Sequence, residues 1–118
     1  MLLYRKDFPS LYLPFVVNKF NITWIEDKDQ FILDMDEIAS VIKEKKIDIV
    51  AISHIQYQSG FKIDLQALSE ICRQNNALLI ADGTQSLGGM NINLSELQPD
   101  VFIASSYKWM NGGFGRSE

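Results

Sequence analysis

Asp82 and Lys108 are the residues whose types and spacing could do chemistry. Asp82 ends a short apolar run, Leu78-Leu79-Ile80-Ala81-Asp82. A second run, Val101-Phe102-Ile103-Ala104-Ser105-Ser106, ends in hydroxyls, and Lys108 follows it between Tyr107 and Trp109. Each run is bounded by turn formers, the pattern of a strand buried on both faces. In a parallel sheet both runs would end on one edge, where open α/β sheets bind their ligands. A carboxylate and an amine on that edge, with hydroxyls beside the amine, suit pyridoxal 5'-phosphate (PLP). The lysine would form the Schiff base, the acid would keep the pyridine nitrogen protonated, and the hydroxyls would bind phosphate. Each group also has an ordinary reading: an Asp at a strand end as a turn former, a loop lysine as a solvated charge, and Asn111-Gly112-Gly113 as a turn.

The elements that would position this pair read in order along the chain. Met1 to Pro14, interrupted by Pro9 and Pro14, reads as an irregular, partly buried lead-in. Phe15 to Phe20 is ambiguous, Asn21 to Ile25 alternates as a short strand, and Glu26 to Gln30 is charged and turn-like. Phe31 to Leu33 would extend briefly. Asp34 would cap a helix, with Glu37 reaching back to it and Met35, Ile38, Ala39 and Ile42 on its apolar face. Lys43, Lys45 and Lys46 fall in its last turn, where cations suit the helix dipole and form a solvated face. Ile47 to Ile52 reads as a buried strand ending at Ser53-His54, and Ile55 to Lys62 as a loop. Asp64 would cap a second helix with Leu65, Leu68, Ile71 and Cys72 inward, ended by Asn75-Asn76. Asn93 would cap a single helical turn over Leu94 to Leu97. Helix and strand alternating at this spacing predict a three-layer α/β/α architecture with a mainly parallel sheet and right-handed crossovers.

Composition narrows the function classes. The chain has 118 residues, enough for one domain, and a net charge of -4 without a basic cluster, so nucleic acid is not an expected partner. No apolar run approaches the ~20 residues that span a bilayer, so no membrane is expected either. The start is too interrupted by charge and proline for a signal peptide, and the expected setting is the cytoplasm. Cys72 is the single cysteine, which excludes an intrachain disulfide, and on a helix stripe it reads as inert packing. No metal site is expected from one cysteine and one histidine.

The combination is more specific than its parts: Asp82, an amide three residues on at Gln85, a hydroxyl cluster, Lys108 and a glycine turn. The stretches SHIQYQSGFKIDLQALSEICRQNNALLIADGTQSLGG and DVFIASSYKWMNGGFG resemble the class V aminotransferase family of fold-type I PLP enzymes. That family includes cysteine desulfurases, kynureninases, small-molecule aminotransferases and an epimerase branch. The resemblance runs from Asp48 to Gly115, and Asp7-Phe8-Pro9-Ser10 also resembles a family segment. It implies that Lys108 is the Schiff-base lysine and that Asp82 pairs with the pyridine nitrogen. It further implies that Gln85 hydrogen-bonds the ring hydroxyl and that Ser105 and Tyr107 bind phosphate. His54 matches a histidine common in this loop, either near the cofactor or packed at the strand end. The implied activity is PLP-dependent chemistry on a small amino-acid substrate, in an enzyme that is a homodimer at full length.

Two departures bear on the reaction branch. Desulfurases of this family usually carry a histidine just before the lysine, where this chain has Tyr107, as kynureninase-like members do. They also carry an asparagine three residues after the loop histidine, where this chain has Tyr57, and their catalytic cysteine falls far downstream. The resemblance therefore implies a transaminating or kynureninase-like enzyme ahead of a cysteine desulfurase.

Length gives a further expectation. Family members are far longer, so residues 1–118 correspond to the middle of a PLP-binding large domain. An upstream phosphate-binding turn, a residue stacking on the ring and a downstream small domain with a carboxylate-binding arginine are expected to lie outside it. Gly115-Arg116-Ser117-Glu118 leaves the family pattern, as a truncated reading frame would. A sheet cut to about four or five strands would expose edges and apolar faces and be marginal or aggregating alone. The competing class is a non-catalytic α/β fragment or relic that binds a partner. A nucleotide-binding doubly wound domain is disfavoured by the lack of G-x-G-x-x-G after the first strand.

Overall fold

Short apolar runs and capped amphipathic helices alternate along the chain and assemble into one sheet with helices on both faces. The computed structural model describes residues 1–28 and 31–113. In order the elements are β1 (Leu2–Tyr4), α1 (Pro9–Val17), β2 (Thr23–Ile25), α2 (Met35–Glu44), β3 (Ile49–Ser53), α3 (Leu65–Gln74), β4 (Leu78–Asp82), α4 (Leu94–Leu97) and β5 (Val101–Ile103). The sheet order is β2-β1-β3-β4-β5 and every pair is parallel. The expected three-layer α/β architecture is therefore present.

Strand alternation divides the core between the two faces. Leu2, Tyr4, Val50, Ile52, Leu79 and Ala81 face α2 and α3, packed with Ile38, Ile42, Leu65, Leu68 and Cys72. Leu3, Ala51 and Ile80 face the other way, onto Leu11, Tyr12 and Phe15 of α1. The register Val50↔Leu79, Ile52↔Ala81 and Ser53↔Asp82 carries this pattern to the carboxyl edge.

The helix starts follow the sequence. The Asp34 carboxylate accepts from the N–H groups of Asp36 and Glu37, and that of Asp64 from Ala67. Glu37 does not complete a capping box, because its carboxylate pairs with Lys28 at 3.1 Å instead. Lys43, Lys45 and Lys46 are exposed, as expected of a solvated face. Asn76 closes α3 in the left-handed region, at φ 55°, a conformation that asparagine tolerates.

Two expectations are corrected. Met1 to Pro14 is not an irregular lead-in: it holds β1 and most of α1. A three-residue strand is too short to show alternation, and all three of its residues are buried. Pro9 sits at the start of α1, where its missing N–H costs nothing, and Pro14 is tolerated inside because Leu11 and Phe15 bury against the sheet. The run from Val101 is likewise not buried on both faces: Val101 is 44% and Ile103 42% exposed. Among the described residues β5 pairs with β4 alone, which leaves its outer edge uncovered. The part of the expected charged turn at residues 29–30, and the 114–118 ending, lie outside the described residues.

Candidate functional site at the carboxyl edge of the sheet

The β3 and β4 strands end side by side at Ser53 and Asp82, and β5 ends beside Asp82 at Ile103. After Asp82 the chain turns sharply at Gly83. A Cβ there would stand 2.0 Å from the Phe102 ring, so only glycine lets the turn fold back over β5. The Asp82 Oδ1 accepts from the Thr84 N–H at 2.8 Å, while among the described residues Oδ2 takes no hydrogen bond. The Thr84 Oγ1 in turn accepts from the Ser105 N–H at 2.9 Å. That bond ties the turn after β4 to the segment after β5 that leads to Lys108.

Two adjoining hollows open on this edge. One, of about 350 Å³, lies between α1 and the ends of β4 and β5, with Asp82, Thr84, Ser105 and Tyr107 as its polar wall and Phe8, Phe15 and Ile80 as its apolar wall. The other is a narrow crevice lined by Phe8, Ser53, Tyr57, Asp82, Thr84, Gln85 and Lys108. Phe8, Asp82 and Thr84 line both. The structure thus places Asp82, Gln85 and Lys108 around the crevice, and Asp82, Ser105 and Tyr107 around the larger hollow beside it. The larger volume is at the low end for ligand pockets, which run roughly 300–1,000 Å³. The Lys108 Nζ lies 5.7 Å from the ring centres of both Phe8 and Tyr107 and makes no ion pair among the described residues.

His54 goes elsewhere. Its side chain is buried, with Nδ1 3.0 Å from the Ser86 Oγ, and it lines a separate polar cavity of about 290 Å³ with Lys62, Asn93 and Glu96. It belongs to neither hollow that holds Asp82. Alternation past Ser53 sends neighbouring side chains to opposite faces, so Ser53 reaches the crevice and His54 the α3–α4 side. Burial, and secondarily the charge on Lys62, hold the imidazole below its ordinary value of 6.5. The unfolded chain then binds the proton more readily than the folded one. Its contribution to stability is full above about pH 6.5 and is lost as pH falls toward the lower folded value. The urea midpoint is expected to drop between about pH 7.5 and 5.5, and to drop less in His54→Asn.

Two residues of the site escaped the sequence reading. Phe8 lies at the mouth of α1, packs edge-on against Tyr57 with ring centres 5.1 Å apart, and borders both hollows. Its ring gives the two hollows a shared aromatic wall. The signal was present in the Asp7-Phe8-Pro9-Ser10 segment, but only the β1–α1 turn shows where the ring goes. Asp7 is 2% exposed and accepts from the Phe8 N–H (2.7 Å), the Ser53 N–H (2.8 Å) and hydroxyl (2.5 Å), and Gln56 Nε2 (3.3 Å). It fastens the Phe8 turn to the end of β3.

The donor set fits PLP. Among the described residues, a carboxylate with one oxygen open, an amine without a partner acid, an amide, an aromatic face and several hydroxyls line the two adjoining hollows. Cys72, by contrast, lies on the buried face of α3, away from both hollows, and desolvation pushes its thiol up to about 12. No group of residues suited to a metal ion occurs among the described residues, and no described helix is long and apolar enough to cross a membrane.

A parallel α/β sheet with an acid and an amine at its carboxyl edge defines the general class, and comparison with known proteins narrows it. Residues 16–116 match the class-V aminotransferase family, and the chain belongs to that family of PLP-dependent enzymes. It is 37% identical over 89 residues to the cysteine desulfurase IscS of Histophilus somni (strain 2336), an alignment covering 75% of this chain and 22% of that protein. The fold is similar to an alanine–glyoxylate aminotransferase from Nostoc sp. (TM-score 0.83, 22% identity, 98% of this chain and 32% of that one). It is equally similar to the apo cysteine desulfurase of Thermococcus onnurineus NA1 (TM-score 0.83, 26% identity, 98% and 30%). The chain spans about a fifth of the length of the curated relatives it matches.

Proposed function

We propose that this chain forms the cofactor-gripping part of a PLP-dependent enzyme acting on amino acids, with Lys108 as the residue that takes the cofactor covalently. The observation that carries this reading is the convergence of Asp82, Gln85 and Lys108 on one crevice at the carboxyl ends of β3 and β4. When bound, PLP supplies an electron sink for charge developing at the substrate α-carbon. The chain's residues do the rest. The Asp82 carboxylate would hold a proton on the ring nitrogen, and the Gln85 amide would bond the ring hydroxyl. Phe8, which borders both hollows, would cover the cofactor ring and exclude water, and Ser105 and Tyr107, which line the larger hollow, would bind its phosphate. The Lys108 amine would hold the cofactor covalently and would serve as the base that moves the proton at the substrate α-carbon.

The reading extends to a transaminating or kynureninase-like reaction. Its support is Tyr107 beside the lysine, where desulfurases of the family usually carry a histidine. The kinship to cysteine desulfurases, at 37% identity, favours the second reading, desulfuration with the sulfur carried by a cysteine elsewhere. Substrate trials separate them: pyruvate formed from alanine, or anthranilate formed from kynurenine, supports the first, and alanine formed from cysteine, with sulfide released on adding a thiol reductant, supports the second.

Titrating the chain with PLP, fixing with borohydride and mapping the modified peptide tests the cofactor reading. Modification centred on Lys108 is expected, and labelling scattered over the exposed lysines would overturn it. Asp82→Asn is expected to weaken PLP binding by about 10- to 100-fold, the loss of one hydrogen bond to a charged group at about 1.5–3 kcal/mol. Because Asp82 is only half-buried, the lower end is expected.

A further inference from the structure

We propose that His54 is a positioning residue that sets the cofactor-facing turn from the opposite side of the sheet, acting through Ser86. The inference rests on the cofactor reading above for its functional meaning and on geometry for its substance. Ser86 is fully buried and sits at the end of the turn that carries Asp82, Thr84 and Gln85. Its Oγ stands 3.0 Å from the His54 Nδ1 and 3.1 Å from the Gly83 carbonyl, and its N–H donates to that same carbonyl at 2.9 Å. The Leu87 N–H reaches the Gly83 carbonyl as well, at 2.7 Å, so the turn closes on itself around Gly83. His54 is fixed independently: its N–H donates to the Asp82 carbonyl at 2.9 Å and its own carbonyl accepts from Ile63 at 3.0 Å.

The imidazole therefore joins a rigid strand end to the far end of the Gly83–Ser86 turn. Thr84 and Gln85 lie between the two fixed points, and Thr84 passes the constraint on through Ser105 toward Lys108. Removing the ring leaves Ser86 tethered only within its own turn, and the polar pair would be half-satisfied in a buried place, where polar networks are costly. Asparagine offers either a donor or an acceptor near the ring's Nδ1 position, so it can keep the bond whichever tautomer the histidine adopts.

The test uses the full chain with His54→Leu, His54→Asn and Ser86→Ala, and with Lys62→Ala as a control on the same cavity. Two readouts are taken: PLP affinity by absorbance, and amide hydrogen exchange at Leu87 and Ser105 without cofactor. His54→Leu and Ser86→Ala are each expected to weaken PLP binding at least about tenfold and to speed exchange at those two amides more than in α2 and α3. His54→Asn is expected to restore both to within about threefold, and Lys62→Ala to change neither. Unchanged PLP affinity in His54→Leu, or failure of asparagine to restore it, would overturn the proposal. If wild type binds no PLP, the cofactor reading fails, and exchange alone decides. Loss confined to Leu87 and Ser105 upholds the positioning role, and uniform loss across the fold overturns it. Should His54→Leu not fold, Ser86→Ala carries the same comparison.

Discussion

Lys108→Ala is expected to abolish covalent capture of PLP. With wild type, treatment with PLP and borohydride followed by mass mapping should place one cofactor on the peptide that contains Lys108. With the variant that peptide stays unmodified. The expectation rests on position. Lys6 and Lys28 spend their charge on Asp27, and on Asp34 and Glu37, in ion pairs of about 3 Å, and Lys43, Lys45 and Lys46 stand in water. Lys108 alone among these is half-buried between two aromatic rings, in the crevice that also holds Asp82 and Gln85. Any lysine can condense with an aldehyde at high concentration, so selectivity is the readout that matters. Lys108→Arg separates charge from chemistry: a guanidinium keeps the charge but stays protonated and does not attack. It too should lose capture, while non-covalent affinity should survive better in Lys108→Arg than in Lys108→Ala. Undiminished labelling at the same cleft through another lysine would sink the assignment.

Asp7→Ala is expected to lower the unfolding free energy by about 3 kcal/mol, the second large effect. The Asp7 carboxylate is 2% exposed and collects four donors, from Phe8, Ser53 (twice) and Gln56, and among the described residues no cation pairs with it. Alanine would leave those donors facing a small void. Each buried donor left unmade costs about 1–3 kcal/mol, reduced where the Ser53 hydroxyl turns to a new partner or water enters. Against a folding free energy of about 5–15 kcal/mol this is a large fraction. Asp7→Asn keeps one acceptor oxygen but points an amide NH₂ at other N–H groups, so about half the loss is expected. Urea unfolding followed by circular dichroism gives both values, and a loss below about 1 kcal/mol for Asp7→Ala would show that the donors find other partners. The same substitution should also loosen Phe8 and Ser53, both of which line the crevice, so weaker PLP binding should accompany it.

These two residues show what each level of description contributes. The spacing of acid, amide, hydroxyls and lysine was legible because each group directly follows a short apolar run, and such runs become strands wherever helices cover them. Parallel order then puts their ends on one edge, and the crevice shared by Asp82, Gln85 and Lys108 follows. Helix caps at Asp34, Asp64 and Asn93 were also legible, because capping is a local bond between a side chain and a backbone N–H two or three residues away.

What the sequence by itself determined about this protein, then, was the local and the periodic: the strands from β2 onward, the helices α2 to α4 and the identity of the groups at the strand ends. Tertiary structure alone decided what depends on partners distant in sequence. The β1–α1 start has too few residues for periodicity and two prolines against it, and it forms because Leu3 and Leu11 bury against Ala51 of a strand some forty residues on. Asp7 reads as one more polar residue until β3 brings Ser53 and Gln56 to it across 46 and 49 positions. His54 stands next to Ser53 in the chain, yet the pleat turns it away from Asp82 and onto Ser86, 32 residues later. A one-dimensional pattern records which side chains alternate, but the face each one meets is fixed only when the sheet order β2-β1-β3-β4-β5 sets its neighbours.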